Sequence, residues 1–136
     1  MATPTKARAR LRIVLADDQP IILRMIRMIL GEHDHLEVVG EAPNGLDAVA
    51  MVALLQPDVV VLNVVMPKMS GFEAARRIHA QSPSVSIVIL STHKDDQFIR
   101  AARECGATGY VEKQFAGTEL VNAIDDTASG KAFFLH

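Results

Sequence analysis

The chain has 136 residues, of which 49% are hydrophobic and 22% charged, so it suits one domain with a real core and is too apolar to be generally disordered. Its 14 Lys and Arg residues against 16 Asp and Glu residues give a net charge of -2, which argues against a dedicated nucleic-acid-binding protein. No apolar run approaches the roughly 18 residues of a membrane span. The single cysteine, Cys105, cannot form an internal disulfide, which fits a reducing compartment. We therefore expect a small cytoplasmic domain.

Short apolar runs rich in β-branched residues predict five strands. Before the first run, residues 1–10 are polar and basic and predict a flexible tail. Several runs are apolar at consecutive positions, as is typical of strands that are covered on both faces. The five predicted strands span residues 12–16, 36–40, 58–62, 85–90 and 109–111.

Stretches of helical period alternate with these strands and predict five helices. The first carries Ile22, Met25, Ile26 and Ile29 and stops at Gly31; the second starts after a cap at Asn44 and ends before Pro57. The other three carry Phe72, Ala75 and Ile78; Phe98, Ala101, Ala102 and Cys105; and Leu120, Ala123, Ile124 and Thr127. Strict strand–helix alternation predicts a parallel sheet with helices on both faces, in one domain over residues 11–130. Residues 131–136 are expected to begin a linker or to form a tail, with Phe133 and Phe134 alternatively folding back onto the last helix.

Polar side chains follow four of the five predicted strands. Asp17 and Asp18 follow the first, Asn63 the third, Ser91 the fourth and Lys113 the fifth. Ligands of open parallel sheets bind outside the carboxyl ends of the strands, so these residues predict a site there. The second strand ends in Ala42 and Pro43 and is expected at an edge.

The adjacent carboxylates Asp17 and Asp18 repel each other, and a hard divalent cation such as Mg²⁺ would relieve that repulsion. Capping the following helix is the alternative, because negative charge is favoured at a helix N-terminus. With a lysine and a hydroxyl at the same edge, a site for a phosphoryl group and its metal is favoured.

Four segments resemble the receiver domain of two-component response regulators, most closely the NarL/LuxR-type subgroup. They are VLADD at 14–18, VLNVVMPKMSG at 61–71, ILST at 89–92 and GATGYVEK at 106–113. The resemblance covers roughly residues 11–130. It implies a flavodoxin-like, doubly wound α/β fold with five parallel strands in the order 2-1-3-4-5 and five helices.

The resemblance also implies roles for individual residues. Mg²⁺ would be held by Asp18, position 63 and the backbone carbonyl of Val65, with Asp17 acting mainly through water. Lys113 would bind the phosphoryl group, while Ser91 and Tyr110 would be the switch residues, Tyr110 swinging inward on activation. Their movement would remodel the face formed by the fourth helix, fifth strand and fifth helix. The loop after the acceptor strand would be shaped by Met66, Pro67 and Gly71.

One residue departs from the family pattern, which places a nucleophilic aspartate where this chain has Asn63. An uncharged amide cannot form an aspartyl phosphate, and it removes a negative charge from the metal site, so we expect no phosphorylation and weakened Mg²⁺ binding. Two explanations stay open at this point. One is an engineered Asp-to-Asn change that traps the off state, which the other retained site residues favour; the other is a natural pseudo-receiver that binds partners independently of phosphate.

The partners that the resemblance implies are a sensor histidine kinase and, in some states, a second copy of the chain. A DNA-binding output domain is expected in a longer parent protein. We expect no membrane contact and no direct nucleic-acid binding by this chain, and a signalling switch rather than an enzyme. A flavodoxin-like cofactor protein is a rival, disfavoured because no Gly-rich phosphate loop and no tryptophan is present.

Overall fold

A parallel sheet with helices on both faces forms the part of the chain that the computed structural model describes, residues 9–134. Residues 1–8 of the predicted tail and residues 135–136 lie outside this range. The strands are β1 Leu11–Ala16, β2 Leu36–Ala42, β3 Val59–Asn63, β4 Ser86–Ser91, β5 Gly109–Glu112 and β6 Phe133–Phe134. The helices are α1 Pro20–Gly31, α2 Gly45–Leu55, α3 Gly71–Gln81, α4 Asp96–Glu104 and α5 Ala116–Ala128, with a 3-10 turn at Lys113–Phe115.

The strand order is β2-β1-β3-β4-β5-β6, which confirms the doubly wound α/β fold and the predicted order of the five main strands. β2 lies at one edge of the sheet, as predicted from the absence of a polar side chain at Ala42 and Pro43. The prediction of five strands is corrected by β6, which pairs in parallel with β5. Two residues are too short a run for a periodic pattern, and their strand conformation is set by pairing with the β5 edge.

Two apolar layers cover the two faces of the sheet. Alternate residues of β3 point to opposite sides, Val60 and Leu62 into one layer and Val59 and Val61 into the other. The first layer packs under α2, α3 and α4, and the second under α1 and α5. Burial on both faces explains why β3 is apolar at consecutive positions.

Side-chain caps start the two helices that flank the loop after β3. Asn44 Oδ1 accepts a hydrogen bond from the Asp47 amide at 2.8 Å, and Ser70 Oγ accepts one from the Glu73 amide at 3.2 Å. The predicted cap at Asn44 is therefore confirmed. Within residues 9–134, no helix is both long enough and apolar enough to cross a membrane.

Candidate functional site

A polar pocket of about 220 Å³ opens where β1, β3, β4 and β5 end side by side. Parallel pairing places these ends at one edge of the sheet: Ala16 is in register with Leu62, Asn63 with Leu90, and Ser91 with Glu112. Residues at the ends of these strands and just after them therefore surround a shared space. The lining residues are Asp18, Gln19, Asn63, Val64, Val65, Ser91, Thr92, His93 and Lys113.

An ion pair between Asp17 and Lys113 forms the base of this site. The side chain of Asp17 is 1% exposed, and its Oδ2 lies 3.2 Å from Nζ of Lys113, which is 16% exposed. Asp17 Oδ1 accepts a hydrogen bond from the Gln19 amide at 2.9 Å, whereas Oδ2 accepts none with good geometry from the described residues. Charge attraction alone therefore compensates Oδ2, and the lysine is held over the acidic end of β1.

The amide of Asn63 contacts two oxygens at the pocket. Its Nδ2 donates a hydrogen bond to the carbonyl of Val65 at 2.8 Å and a long, weak one to Oδ1 of Asp18 at 3.5 Å. These two oxygens are the ones that the resemblance assigns to a cation. The amide NH₂ thus supplies some of the positive charge density that a metal ion would supply.

Ser91 and Tyr110 hold the backbone of His93 from its two ends. Ser91 Oγ accepts a hydrogen bond from the His93 amide at 3.0 Å, and the Tyr110 hydroxyl donates one to the His93 carbonyl at 2.6 Å. The His93 ring is exposed and stacks on Phe98 with 4.1 Å between ring centroids. Tyr110 is 1% exposed, so its ring already lies inside; its predicted movement stays a prediction.

The loop after β3 is anchored by backbone contacts at both of its ends. The Gly71 amide donates to the Val64 carbonyl at 2.7 Å, and the Gly45 amide donates to the Met69 carbonyl at 3.1 Å. Met66 is 8% exposed and packs into the core, while Pro67 is exposed. Met66, Pro67 and Gly71 thus lie in the loop beside the pocket and do not line it.

The structure therefore brings together Asp17, Asp18, Asn63, the Val65 carbonyl, Ser91 and Lys113 at one edge of the sheet, with Tyr110 packed behind them. The bridging role of His93 was not predicted from the sequence. Because its backbone rather than its side chain is used, no residue-type signal could have identified it.

The oxygen atoms at the pocket are of the kind that Mg²⁺ prefers. Two carboxylates and a backbone carbonyl are hard ligands, and Asp17 Oδ2 is a buried oxygen without a hydrogen-bond donor. The chain nevertheless brings only two carboxylates here, and no cluster of three or more His, Cys, Asp or Glu side chains suited to a metal occurs among residues 9–134. The donor set fits a weakly held cation that would compete with the Asn63 amide for Asp18 and Val65.

Burial of Tyr110 predicts a measurable pH dependence. Burial is the largest cause that raises the pKa of this phenol, partly opposed by its interaction with Ser91. The folded state therefore keeps the proton at a pH where the unfolded chain releases it, so stability present below pH about 10 should fall as the pH rises above that value.

This shift can be observed directly because Tyr110 is the only tyrosine and the chain has no tryptophan. We expect tyrosinate absorbance to develop at higher pH in the folded chain than in the chain unfolded by guanidinium. Tyr110→Phe should remove the signal and flatten the alkaline loss of stability. Identical titrations of folded and unfolded chains would contradict the expectation.

A doubly wound α/β domain with acidic, amide, hydroxyl and lysine side chains at the carboxyl ends of its strands is a class found among signalling domains. Residues 13–125 match the family described as response regulator receiver domain. This chain belongs to that family, which confirms the resemblance. Such domains are signalling modules and typically bind Mg²⁺ at the acidic pocket.

Individual proteins agree with this assignment. The chain is 37% identical over 125 residues to the uncharacterized transcriptional regulatory protein YxjL of Bacillus subtilis, a match that covers 92% of this chain and 57% of that protein. A LuxR-family two-component response regulator from Aurantimonas sp. SI85-9A1 superposes with a TM-score of 0.88 at 33% identity, covering 92% of this chain and 89% of that one.

A third similar structure is the isolated receiver domain of RcsB from Salmonella enterica serovar Typhimurium, solved in the presence of the phosphomimetic BeF₃⁻. Its TM-score is 0.83 at 28% identity, with 91% of this chain and 92% of that chain covered. The present chain spans a little over half the length of the curated relatives it matches.

Proposed function

We propose that this chain is a receiver domain in which Asn63 stands at the phospho-acceptor position, so that it cannot itself take up a phosphoryl group. The observation that carries the proposal is the placement of Asn63 at the end of β3, beside Asp18 and in the same pocket as Ser91 and Lys113. These are the groups that would surround a phosphoryl group on this residue.

The chemistry of the amide separates this chain from one with a carboxylate. In an aspartate variant, a carboxylate oxygen would attack the phosphorus of a phosphodonor, the bond from phosphorus to the donor would break, and an acyl phosphate would remain. Lys113 would attract the new negative charge, leaving Asp17, and the Ser91 hydroxyl would donate a hydrogen bond to it. The neutral amide is a poor nucleophile and yields no such product.

The retained pocket supports a single replacement in an otherwise ordinary receiver. Asp17, Asp18, Ser91 and Lys113 all occupy the pocket or its base, although an amide at position 63 leaves them without a phosphoryl group to bind. We therefore favour an off-state variant of a phosphorylated receiver, with an engineered change as its simplest origin.

A phosphorylation-independent interaction module is the second candidate, and one contact favours it. The Asn63 amide makes a good hydrogen bond to the Val65 carbonyl, so these two groups are paired without an ion or a phosphoryl group. A domain of this kind would keep one conformation and bind its partner in that state.

The wider context is also a proposal. The names of the relatives describe transcriptional regulators and response regulators. We propose a sensor histidine kinase as partner, a DNA-binding output domain in a longer parent, association with a second copy in some states, and a cytoplasmic location. We propose no direct contact between the described domain and nucleic acid.

The deciding experiment is intact-mass spectrometry of the chain, of Asn63→Asp and of Asn122→Asp, each incubated with Mg²⁺ and acetyl phosphate. Asn122 is exposed on α5, so its replacement is a matched amide-to-carboxylate control away from the pocket. We expect one hydroxylamine-labile phosphoryl adduct on Asn63→Asp alone. No adduct on any of the three would overturn the proposal and favour the interaction module.

A further inference from the structure

Helix α2 is apolar around almost its whole circumference. Of its 11 residues, Gly45–Leu55, only Asp47 has a polar side chain. Each of the other four helices carries at least two charged side chains. A helix that is apolar all round is normally buried on all sides. The composition of α2 therefore indicates a helix that is covered on more than one side.

Within the described residues, only one side of α2 is covered. Ala48 and Val52 are buried in the apolar layer between α2 and the sheet. The exposed side, here called the outer face, consists of Leu46, Asp47, Ala50, Ala53 and Leu54. Leu54 is 82% exposed, more than any other large apolar side chain among residues 9–134. Because these positions follow at intervals of three and four, they form one continuous apolar patch, which is typical of an interaction surface.

Unpaired charges at the two ends of the outer face indicate which partner it fits. Near the N-terminus of α2, the Asp47 carboxylate accepts a hydrogen bond from Asn44 at 3.1 Å. At the other end, Arg12 Nη1 donates to the carbonyls of Leu55 and Gln56 at 2.8 and 3.0 Å. Neither Asp47 nor Arg12 forms an ion pair among residues 9–134. The outer face thus lies between a negative and a positive end.

A second copy of the chain complements this arrangement when its α2 runs antiparallel to the first. If Ala50 of one copy opposes Ala53 of the other, Asp47 of one copy opposes Gln56 of the other, because residues 47 and 56 lie equally far from the centre between 50 and 53. A helical side chain leans toward the N-terminus of its own helix, so Asp47 would lean toward Arg12 of the other copy. Two-fold symmetry repeats this contact at the opposite end.

We propose that the outer face of α2 is a self-association surface, on which two copies of this chain pair their α2 helices antiparallel with two contacts between Asp47 and Arg12. The inference rests on the proposed function only for the choice of a second copy as partner, and it does not involve position 63. A single pair of helices buries less than the standard area of about 800 Å² per partner, so we expect a dissociation constant of roughly 0.1 mM.

Sedimentation equilibrium of the full chain tests the surface, over a range from about 10 µM to about 1 mM. We expect a dimer whose dissociation constant rises by about tenfold or more in Leu54→Glu, since this change places a charge in the apolar centre of the contact. Met28→Glu is the matched control, because Met28 is 68% exposed on α1. A chain that stays monomeric, or a dimer that Met28→Glu weakens and Leu54→Glu does not, would overturn the proposal.

The charged contact has its own test. Asp47→Asn keeps an oxygen that can accept from Asn44 and removes the charge, so the dissociation constant at low salt should rise about threefold. The difference should disappear in high salt, which screens exposed charges. Asp34→Asn, exposed in the turn before β2, is the control for a lost surface charge. Equal dissociation constants for the two variants would overturn the contact between Asp47 and Arg12.

Cysteine cross-linking tests the antiparallel orientation. With a rise of 1.5 Å per residue, the two copies of residue 50 would lie about 4.5 Å apart along the helix axis, and the two copies of residue 46 about 16 Å apart. Ala50→Cys should therefore form a disulfide-linked dimer on mild oxidation, whereas Leu46→Cys should not. Cys105 is buried, so the unmodified chain measures the background. Equal cross-linking of the two variants would indicate parallel helices and overturn the proposal.

These outcomes are distinguishable from those that test the proposed function. If Asn63→Asp forms the phosphoryl adduct and the chain stays monomeric, the self-association surface is wrong and the proposed function stands. If no adduct forms and the chain makes a dimer that depends on Leu54, the proposed function is wrong and the surface stands.

Discussion

Asn63→Asp is expected to make the stability of the domain depend strongly on a divalent cation, whereas the stability of the unmodified chain should depend on it far less. The change replaces the amide that donates to the Val65 carbonyl and Asp18 with a third carboxylate beside Asp17 and Asp18. Without metal, the lost hydrogen bond and the like-charge repulsion should destabilise the fold by about 1–3 kcal/mol.

A bound cation should reverse this loss, because its positive charge takes the place of the Asn63 amide hydrogens that contact the Val65 carbonyl and Asp18. At a Mg²⁺ concentration about 100-fold above its Kd, binding to the folded state alone adds about 2.7 kcal/mol. For a domain of this size that corresponds to a rise in Tm of roughly 8 °C. The chain with Asn63 should shift far less, since the amide already engages two of the oxygens.

Thermal unfolding followed by circular dichroism, in EDTA and across a Mg²⁺ titration, measures both effects. Asn122→Asp controls for the added surface charge, and Asp18→Asn in the Asn63→Asp background should remove most of the Mg²⁺ response. An equal Mg²⁺ shift in the chain and in Asn63→Asp would show that the amide does not take the place of the cation.

The main architecture and the position of the site were predictable because each follows from a local pattern. Buried parallel strands such as β3 require consecutive apolar residues, and the ends of the main strands could therefore be placed from the sequence. Once the sheet is parallel, Asp18, Asn63, Ser91 and Lys113 must meet at one edge.

The features that sequence patterns missed depend on tertiary contacts. β6 exists because the β5 edge and Arg103 hold Phe133 and Phe134, and a run of two aromatic residues has no period. The link through His93 uses its amide and carbonyl, which every residue type except proline has. The direction of the Asn63 amide toward Val65 depends on the path of the following loop.

Gly71→Ala is expected to damage both stability and the pocket, because Gly71 lies against the backbone of Asn63. A Cβ at Gly71 would overlap the Asn63 carbonyl oxygen and lie 2.9 Å from the carbonyl carbon. The Asn63 carbonyl belongs to the buried strand β3, and the Gly71 backbone starts α3. Neither backbone segment can move away without breaking the hydrogen bond from the Gly71 amide to the Val64 carbonyl.

We expect a loss of about 3 kcal/mol, at the upper end of the usual cost of overpacking, because the clash is with backbone. Gly117→Ala is the matched control: Gly117 is in the first turn of α5 with nothing within 4 Å of a Cβ, so the same substitution should not destabilise the fold. Urea unfolding of both variants measures the difference.

A second measurement separates general destabilisation from displacement of residue 63. In the Asn63→Asp background, Gly71→Ala should reduce the rate of phosphoryl uptake from acetyl phosphate even at a temperature where the variant is fully folded, because Asn63 and Gly71 share one backbone contact. Gly45→Ala, whose Cβ would meet the Met69 carbonyl in the same loop, should destabilise comparably while leaving the position of residue 63 less changed. Equal uptake by folded Gly71→Ala and its parent would show that the loop, and not the glycine contact, positions residue 63.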